Sequence, residues 1–212
     1  MEKKKIIIFL AIVLVVSLCI LGLLFLKKYG TKEGAVGNDQ FGMKEIEEVI
    51  PPEQKDNVII SEQLGYKFTI PEGYELTEIG TADTWNGQDT YLEFSVMNVE
   101  KQHILSVLII PMDGDSFRDT GSEFDREKIL EGTFEQIFGD FKKQSIVYKD
   151  YCGLPCAFYD GEISKTKSDG TNWHMGEYVY AAPYVEVDFM VVRPEEDAEE
   201  MNMLFDCFEI LE

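Results

Sequence analysis

The chain has 212 residues, 45% hydrophobic and 28% charged, with 40 Asp and Glu against 19 Lys and Arg and a formal net charge of −21. So large a negative excess repels polyanions, which excludes nucleic acid as a partner, and it favours cations and basic proteins. Four cysteines are too few for a disulfide-built fold, so the folded part must rest on a hydrophobic core.

The first element is an apolar run from Ile6 to Leu26 with no charge and no proline. At about 1.5 Å per helical residue it spans about 31 Å, the thickness of a bilayer's hydrocarbon core. Lys3, Lys4 and Lys5 precede it and Lys27, Lys28 and Lys32 follow, so the lysines balance and the amino terminus tips the N-terminal side toward the cytoplasm. The run ends in Phe25-Leu26-Lys27-Lys28 without a small-x-small site, which argues against cleavage as a signal peptide. Val16-Ser17-Leu18-Cys19 resembles a bacterial lipobox, but Leu18 stands where a small residue belongs and the chain stays apolar beyond Cys19. The expectation is a retained single-pass anchor over residues 1–28, with the remainder outside the cell membrane. Those 28 residues hold five Lys against Glu2, so the outer part carries a net −25.

Residues 29–57 contain Gly30, Gly34, Gly37, Gly42 and the Pro51-Pro52 pair among many charges and read as a flexible tether, with a short helix from Met43 ended by the prolines. Residues 58–212 have the length of one domain. In Tyr66-Lys67-Phe68-Thr69-Ile70 the apolar residues alternate, and Pro71-Glu72-Gly73 turns the chain. Tyr91–Asn98 also alternates, which places Leu92, Phe94 and Val96 on one face, whereas Ile104–Ile110 is apolar throughout except Ser106 and reads as a central strand.

Beyond a loop at 112–121 the period changes. Leu130, Phe134 and Phe138 recur every four residues, predicting a helix over 122–139 that opens on Ser122 and Asp125 and stops at Gly139. Strands follow at 145–151, 156–164, 173–181 and 185–192. A last helix begins near Pro194, with Leu204, Cys207, Phe208 and Leu211 as its apolar stripe. This order predicts an α+β fold in which both helices lie against an antiparallel sheet.

The stretch Leu64-Gly65-Tyr66-Lys67-Phe68-Thr69-Ile70-Pro71-Glu72-Gly73-Tyr74 resembles the Gly-aromatic-x-Phe-x-x-Pro-x-Gly-aromatic opening of PsbP-like domains, and Gly153-Leu154-Pro155-Cys156 resembles their Gly-x-Pro-Ala hairpin. The resemblance covers residues 58–212. It implies an α/β/α sandwich in accessory or assembly proteins attached to membranes, without enzymatic activity, and it carries over no catalytic residue.

Three groups of residues are candidates for chemistry. Cys152 and Cys156 flank a predicted hairpin turn, where facing residues come within disulfide range. A bridge and a pair of reduced thiols are equally consistent with this, but C-x3-C is not the spacing of a redox-catalytic site. Asp113, Asp115 and Asp119 are spaced like a calcium loop, yet Phe117 occupies a ligand position, which leaves at most a cation-attracting loop and no metal site. If 182–184 forms a three-residue loop, Tyr180 faces Glu186 and Tyr178 faces Asp188. That face could grip a polar ligand or basic partner, or could simply be an amphipathic sheet face. His103 and His174 have no ligand-spaced neighbours, and no hydrolase or phosphate-binding motif occurs, so no cofactor is expected. The sequence thus predicts a membrane-tethered binding or assembly module that meets another protein or a cationic ligand. The alternatives are an exported enzyme using buried carboxylates, and a thiol-disulfide device at Cys152 and Cys156.

Overall fold

The computed structural model describes residues 49–85, 88–111, 126–163, 172–182, 185–194 and 198–211. The expected anchor at 6–26, the Ser122–Asp125 helix start and the Asp113, Asp115 and Asp119 loop lie outside the described residues. Among the described residues no helix is long and apolar enough to cross a membrane.

Eleven strands and two helices are described: β1 (Glu53–Lys55), β2 (Val58–Ser61), β3 (Tyr66–Thr69), β4 (Glu75–Trp85), β5 (Gln88–Asn98), β6 (His103–Pro111), α1 (Arg126–Ile137), β7 (Val147–Tyr151), β8 (Leu154–Glu162), β9 (His174–Ala182), β10 (Val185–Arg193), α2 (Ala198–Phe205) and β11 (Phe208–Ile210). They form a seven-stranded sheet, ordered β4-β5-β6-β10-β9-β8-β7, and a four-stranded sheet, ordered β1-β2-β3-β11. Every pairing is antiparallel. Strand β1 falls inside the stretch read from sequence as tether.

The large sheet is covered on both faces, as the apolar β6 implied. Leu105, Val107 and Ile109 of β6 join Val187 and Phe189 of β10, Tyr66 and Phe68 of the small sheet, and Met201, Leu204 and Phe205 of α2 in one core. On the opposite face Leu130, Phe134 and Ile137 of α1 pack on Leu108, Val179, Ala181, Met190 and Val192. The layers are therefore α1, the large sheet, and then the small sheet together with α2. The expected two-helix sandwich holds in outline, but a second sheet supplies much of one cover.

Local departures from the expected pattern have identifiable causes. The β5–β6 register slips between Leu92 and Phe94, so Glu93 is an extra residue that sends Leu92 to the α1 face while Phe94 and Val96 stay on the other. The last helix stops at Phe205, and Phe208–Ile210 leave as β11 to pair with Tyr66–Phe68. Cys207 therefore lies past the helix rather than on its stripe, with its thiol donating to Met203 O at 3.2 Å. At Gly176 a Cβ would collide with Met201 Sδ, so the bare backbone of β9 is what lets α2 lie flat on the sheet.

Candidate functional site

Strands β9 and β10 form the centre of the large sheet, and side chains along each alternate between its faces. Met175, Val179 and Ala181 of β9 and Met190 and Val192 of β10 face α1, and by the same alternation so do Glu177, Glu186 and Asp188. Met190 stands opposite Glu177 and Val179 opposite Asp188, which makes Glu177 and Asp188 diagonal neighbours. Three carboxyls thus share a layer with apolar side chains under one helix. Their relative exposures are 0% for Glu177, 1% for Asp188 and 4% for Glu186.

From above, the Thr133 hydroxyl of α1 lies 3.3 Å from Glu186 Oε1 and 3.2 Å from Ile129 O, so its one proton serves either acceptor in turn. Burial is the main force on all three acids, since it penalises the charged form. Glu186 is pushed up to about 7, an effect moderated by hydrogen bonds from Thr133 and Asp188. Burial and then the charge of Glu186 hold Glu177 well above the usual carboxylate range. Asp188 is raised by burial, then by the charges of Glu186 and Glu177, and last by hydrogen bonding with Glu186. Both oxygens of Glu177 and Oδ1 of Asp188 lack a hydrogen-bond partner among the described residues. Burial therefore favours the protonated form of all three acids.

The structure brings together only half of the face expected from sequence. Ala182 pairs with Val185, which leaves two residues between the strands instead of three. Val187 therefore faces Tyr180 and Phe189 faces Tyr178. A shift of one residue moves side chains to the other side of a sheet, so Tyr178 and Tyr180 belong to the aromatic core while Glu186 and Asp188 point at α1. Tyr178 stacks on Tyr151 with centroids 4.0 Å apart and planes at 9°. Sequence reasoning also passed over Glu177. Its signal was an acid between Met175 and Val179 in a strand whose alternate positions are apolar.

The hairpin at the first cysteine pair is tighter than expected. Tyr151 pairs with Leu154, so Cys152 and Gly153 form a two-residue turn, with φ of +50° and +75°, as turns of this length require. Cys156 then faces Lys149 rather than Cys152. Both are free thiols here. Burial raises Cys152 to about 12 and raises Cys156 as well, which makes both poor nucleophiles at neutral pH.

A fourth buried acid is Glu93, the extra residue of β5. Ser61 donates to its Oε1, and Tyr66 donates to its Oε2 at 2.6 Å, tying the two sheets together. Burial raises it to about 7 against the pull of these two bonds. It borders a shallow cleft of about 80 Å³ whose other walls are Val49, Pro51, Pro52, Gly80, Ala82, Tyr91 and Leu92. At the far end of the sheet the Glu200 carboxylate accepts from Tyr74 at 2.6 Å and from Lys101 at 2.7 Å, with His103 Nδ1 3.7 Å away. Together these groups moor α2 to the β3–β4 and β5–β6 turns. Among the described residues no cluster of His, Cys, Asp and Glu has a metal-holding arrangement.

The site and layers define an antiparallel two-sheet α+β protein with a sealed acidic stratum. No family model matches the chain. No curated protein matches it either. Among solved structures it is similar to a Bacteroides thetaiotaomicron protein at 9% identity and a TM-score of 0.39, over 74% of this chain and 48% of that one. The chain thus spans about half the length of that protein. It is also similar to cyanobacterial PsbP (CyanoP) from Synechocystis at 14% identity and a TM-score of 0.33, over 84% of this chain and 98% of that one. Neither likeness carries a conclusion about activity.

Proposed function

We propose that this chain is a non-enzymatic binding or assembly module with a PsbP-like fold. Residues 6–26 tether it in the cell membrane, its N-terminus lies in the cytoplasm, and the domain works outside on another protein or a cationic ligand. The observation that supports this reading is the closure of the carboxyl layer. The acids best suited to proton transfer are Glu177, Glu186 and Asp188, and all three are buried beneath α1. The remaining polar chemistry faces outward from a strongly acidic surface, which suits recognition of basic partners. The exported-enzyme alternative draws on the same raised acids, but it requires α1 to move before substrate could reach them. The thiol-disulfide alternative is weakened by the raised thiols and by the Cys156–Lys149 register.

The test is photocrosslinking in native membranes from a benzoylphenylalanine placed at exposed positions such as Tyr148 on the edge strand β7 or Ile210 on the edge strand β11. A discrete adduct lost on competition with purified partner supports the module. Absence of any adduct over a dozen surface positions, or a chain that added protease cannot reach from outside intact cells, removes it.

A further inference from the structure

We propose that β7 is a docking edge, where an extended, basic segment of another protein adds as a further strand to the seven-stranded sheet. The proposal rests on the binding-module reading and gives that module its surface. Among the described residues the two sheets present four edges, β1, β11, β4 and β7. Strands β1 and β11 have three residues each. Strand β4 is longer, but its pairing is bulged between Leu76 and Glu78, and Pro51 lies so close to Gly80 that a Cβ there would strike it. Short length, bulges, covering segments and lysines are the usual defences of a sheet edge. Strand β7 lacks the first three: its register with β8 is unbroken, and Val147, Tyr148, Lys149 and Asp150 are all exposed. Its one lysine is drawn over the Tyr178 ring, with Nζ 4.8 Å from the centroid, rather than across the open edge.

The backbone of β7 is oriented for this. The two-residue turn at Cys152 and Gly153 makes Tyr151 and Leu154 a hydrogen-bonded pair, and such pairs recur at every second residue of an antiparallel ladder. Lys149 with Cys156 and Val147 with Phe158 are therefore the other bonded pairs, and the N–H and C=O of Tyr148 and Asp150 point away from β8. Pro155, which has no N–H to give, stands opposite Asp150, where this alternation asks for none. No other backbone bond to Tyr148 or Asp150 occurs among the described residues. A strand added antiparallel, like every other pairing in the protein, places its own hydrogen-bonding residues opposite Tyr148 and Asp150. Their side chains then fall on the same face of the sheet as those two.

The chemistry at these positions selects the occupant. Tyr148 and Asp150 share the α1 side, since Tyr148 pairs with Ala157 of the α1-facing core. The Tyr148 hydroxyl is raised by burial and then by the charges of Glu127 and Glu131, against Lys143 and Arg126, so those carboxylates lie within reach of this edge. Glu131 is paired with Lys143, whereas Asp150 and Glu127 are exposed. Basic side chains on that face of the incoming strand meet Asp150 directly across or on the diagonal. On the other face the strand meets Val147, 51% exposed, and the stem of Lys149, which suit β-branched apolar residues. A second copy of this chain fits less well. Pairing centred on Lys149 sets that lysine against itself, pairing centred on Asp150 brings two carboxylates together, and chains of net charge −21 repel each other.

Fluorescence anisotropy with the full chain in mild detergent and a labelled peptide alternating lysine and valine tests the edge. Binding should weaken by about tenfold or more when the lysine amides are N-methylated and little when the valine amides are, because only the lysine N–H groups face β7. Tyr148→Pro removes an outward N–H and no bond of the ladder, so it should keep the thermal midpoint and lose binding by a similar factor, while Tyr148→Thr keeps both. Should the proline variant fold poorly, the two methylated peptides decide on the unaltered chain. Absent binding, equal binding of both methylated peptides, unchanged binding in a folded Tyr148→Pro, or self-association in place of peptide binding would overturn the proposal. A photocrosslink from Ile210 alongside any of these results leaves the binding module standing and removes only this edge.

Discussion

Removing Asp160 should be among the most damaging single changes to this fold. Arg193 ends β10 fully buried, and its Nη2 donates to both oxygens of Asp160 at 2.7 and 3.0 Å. Its Nη1 meets only Met201 Sδ at 3.3 Å, and Nε has no partner among the described residues. Asp160→Ala therefore leaves a guanidinium in the core with a thioether for company. Breaking such a pair from one side costs about 3–5 kcal/mol, and the 22% exposure of Asp160 puts the expected loss near the lower figure because water can enter. Against a total stability of about 5–15 kcal/mol this is large. Replacing both partners, with Arg193→Met and Asp160→Leu, should cost much less than the single change, since it removes the desolvated charge along with its partner. Urea unfolding of the full chain in mild detergent, followed by circular dichroism, measures both. A loss below about 1 kcal/mol for Asp160→Ala, or a double variant as unstable as the single, would refute the argument that the pair matters because it neutralises a buried cation.

The raised acids fix the sign of the pH dependence. Below about pH 4.5 both folded and unfolded chains hold these protons. From there to about 7 only the folded chain keeps those of Glu93 and Glu186, so stability is greatest in acid and falls as pH rises, by about 1.4 kcal/mol per pH unit for each group. Urea midpoints measured from pH 5 to 8 should decline, less steeply in Glu93→Gln, and a flat or rising series contradicts the burial argument. Gly176→Ala should cost about 1–3 kcal/mol by driving a methyl into Met201, and Met201→Ala in the same chain should recover part of that, as read from thermal midpoints. Cys152 and Cys156 should label slowly with iodoacetamide in the folded chain and fully in urea without reductant, whereas a urea-unfolded chain that resists labelling until reduced would restore the disulfide.

What the sequence made legible was whatever local pattern decides. Period-two runs bounded by Pro71-Glu72-Gly73 gave the strands, and the four-residue recurrence of Leu130 and Phe134 gave α1. What it hid depends on count and on distant cover. Two residues rather than three between Ala182 and Val185 decide which way Tyr178 and Tyr180 point, and the alternation of the strand is the same in either case. The slip at Glu93 leaves no trace in composition, yet it alone moves Leu92 to the far face and brings a carboxyl to Ser61 and Tyr66. Phe208 repeats four residues after Leu204, so it looks like one more turn of helix until β3 is present to pair with it.

The acid layer joins both kinds of information. Glu186 and Asp188 alternate visibly with Val185, Val187 and Phe189, and on a lone amphipathic hairpin they would face water. They are buried because α1, some fifty residues earlier, closes that face. Stability alone would favour apolar side chains there, since buried charge without a partner is costly and hydrophobic replacements of similar size are often neutral or better. The acids instead tie part of the fold's stability to bound protons, because burial favours their neutral form. The aromatic core on the opposite face of the same strands contains Tyr66, Phe94, Phe189 and Phe208, and it holds a raised acid of its own, Glu93, which accepts from Ser61 and Tyr66. Cohesion therefore weakens with rising pH on both faces of the sheet, through one hydrogen-bonded acid toward the small sheet and three acids beneath α1.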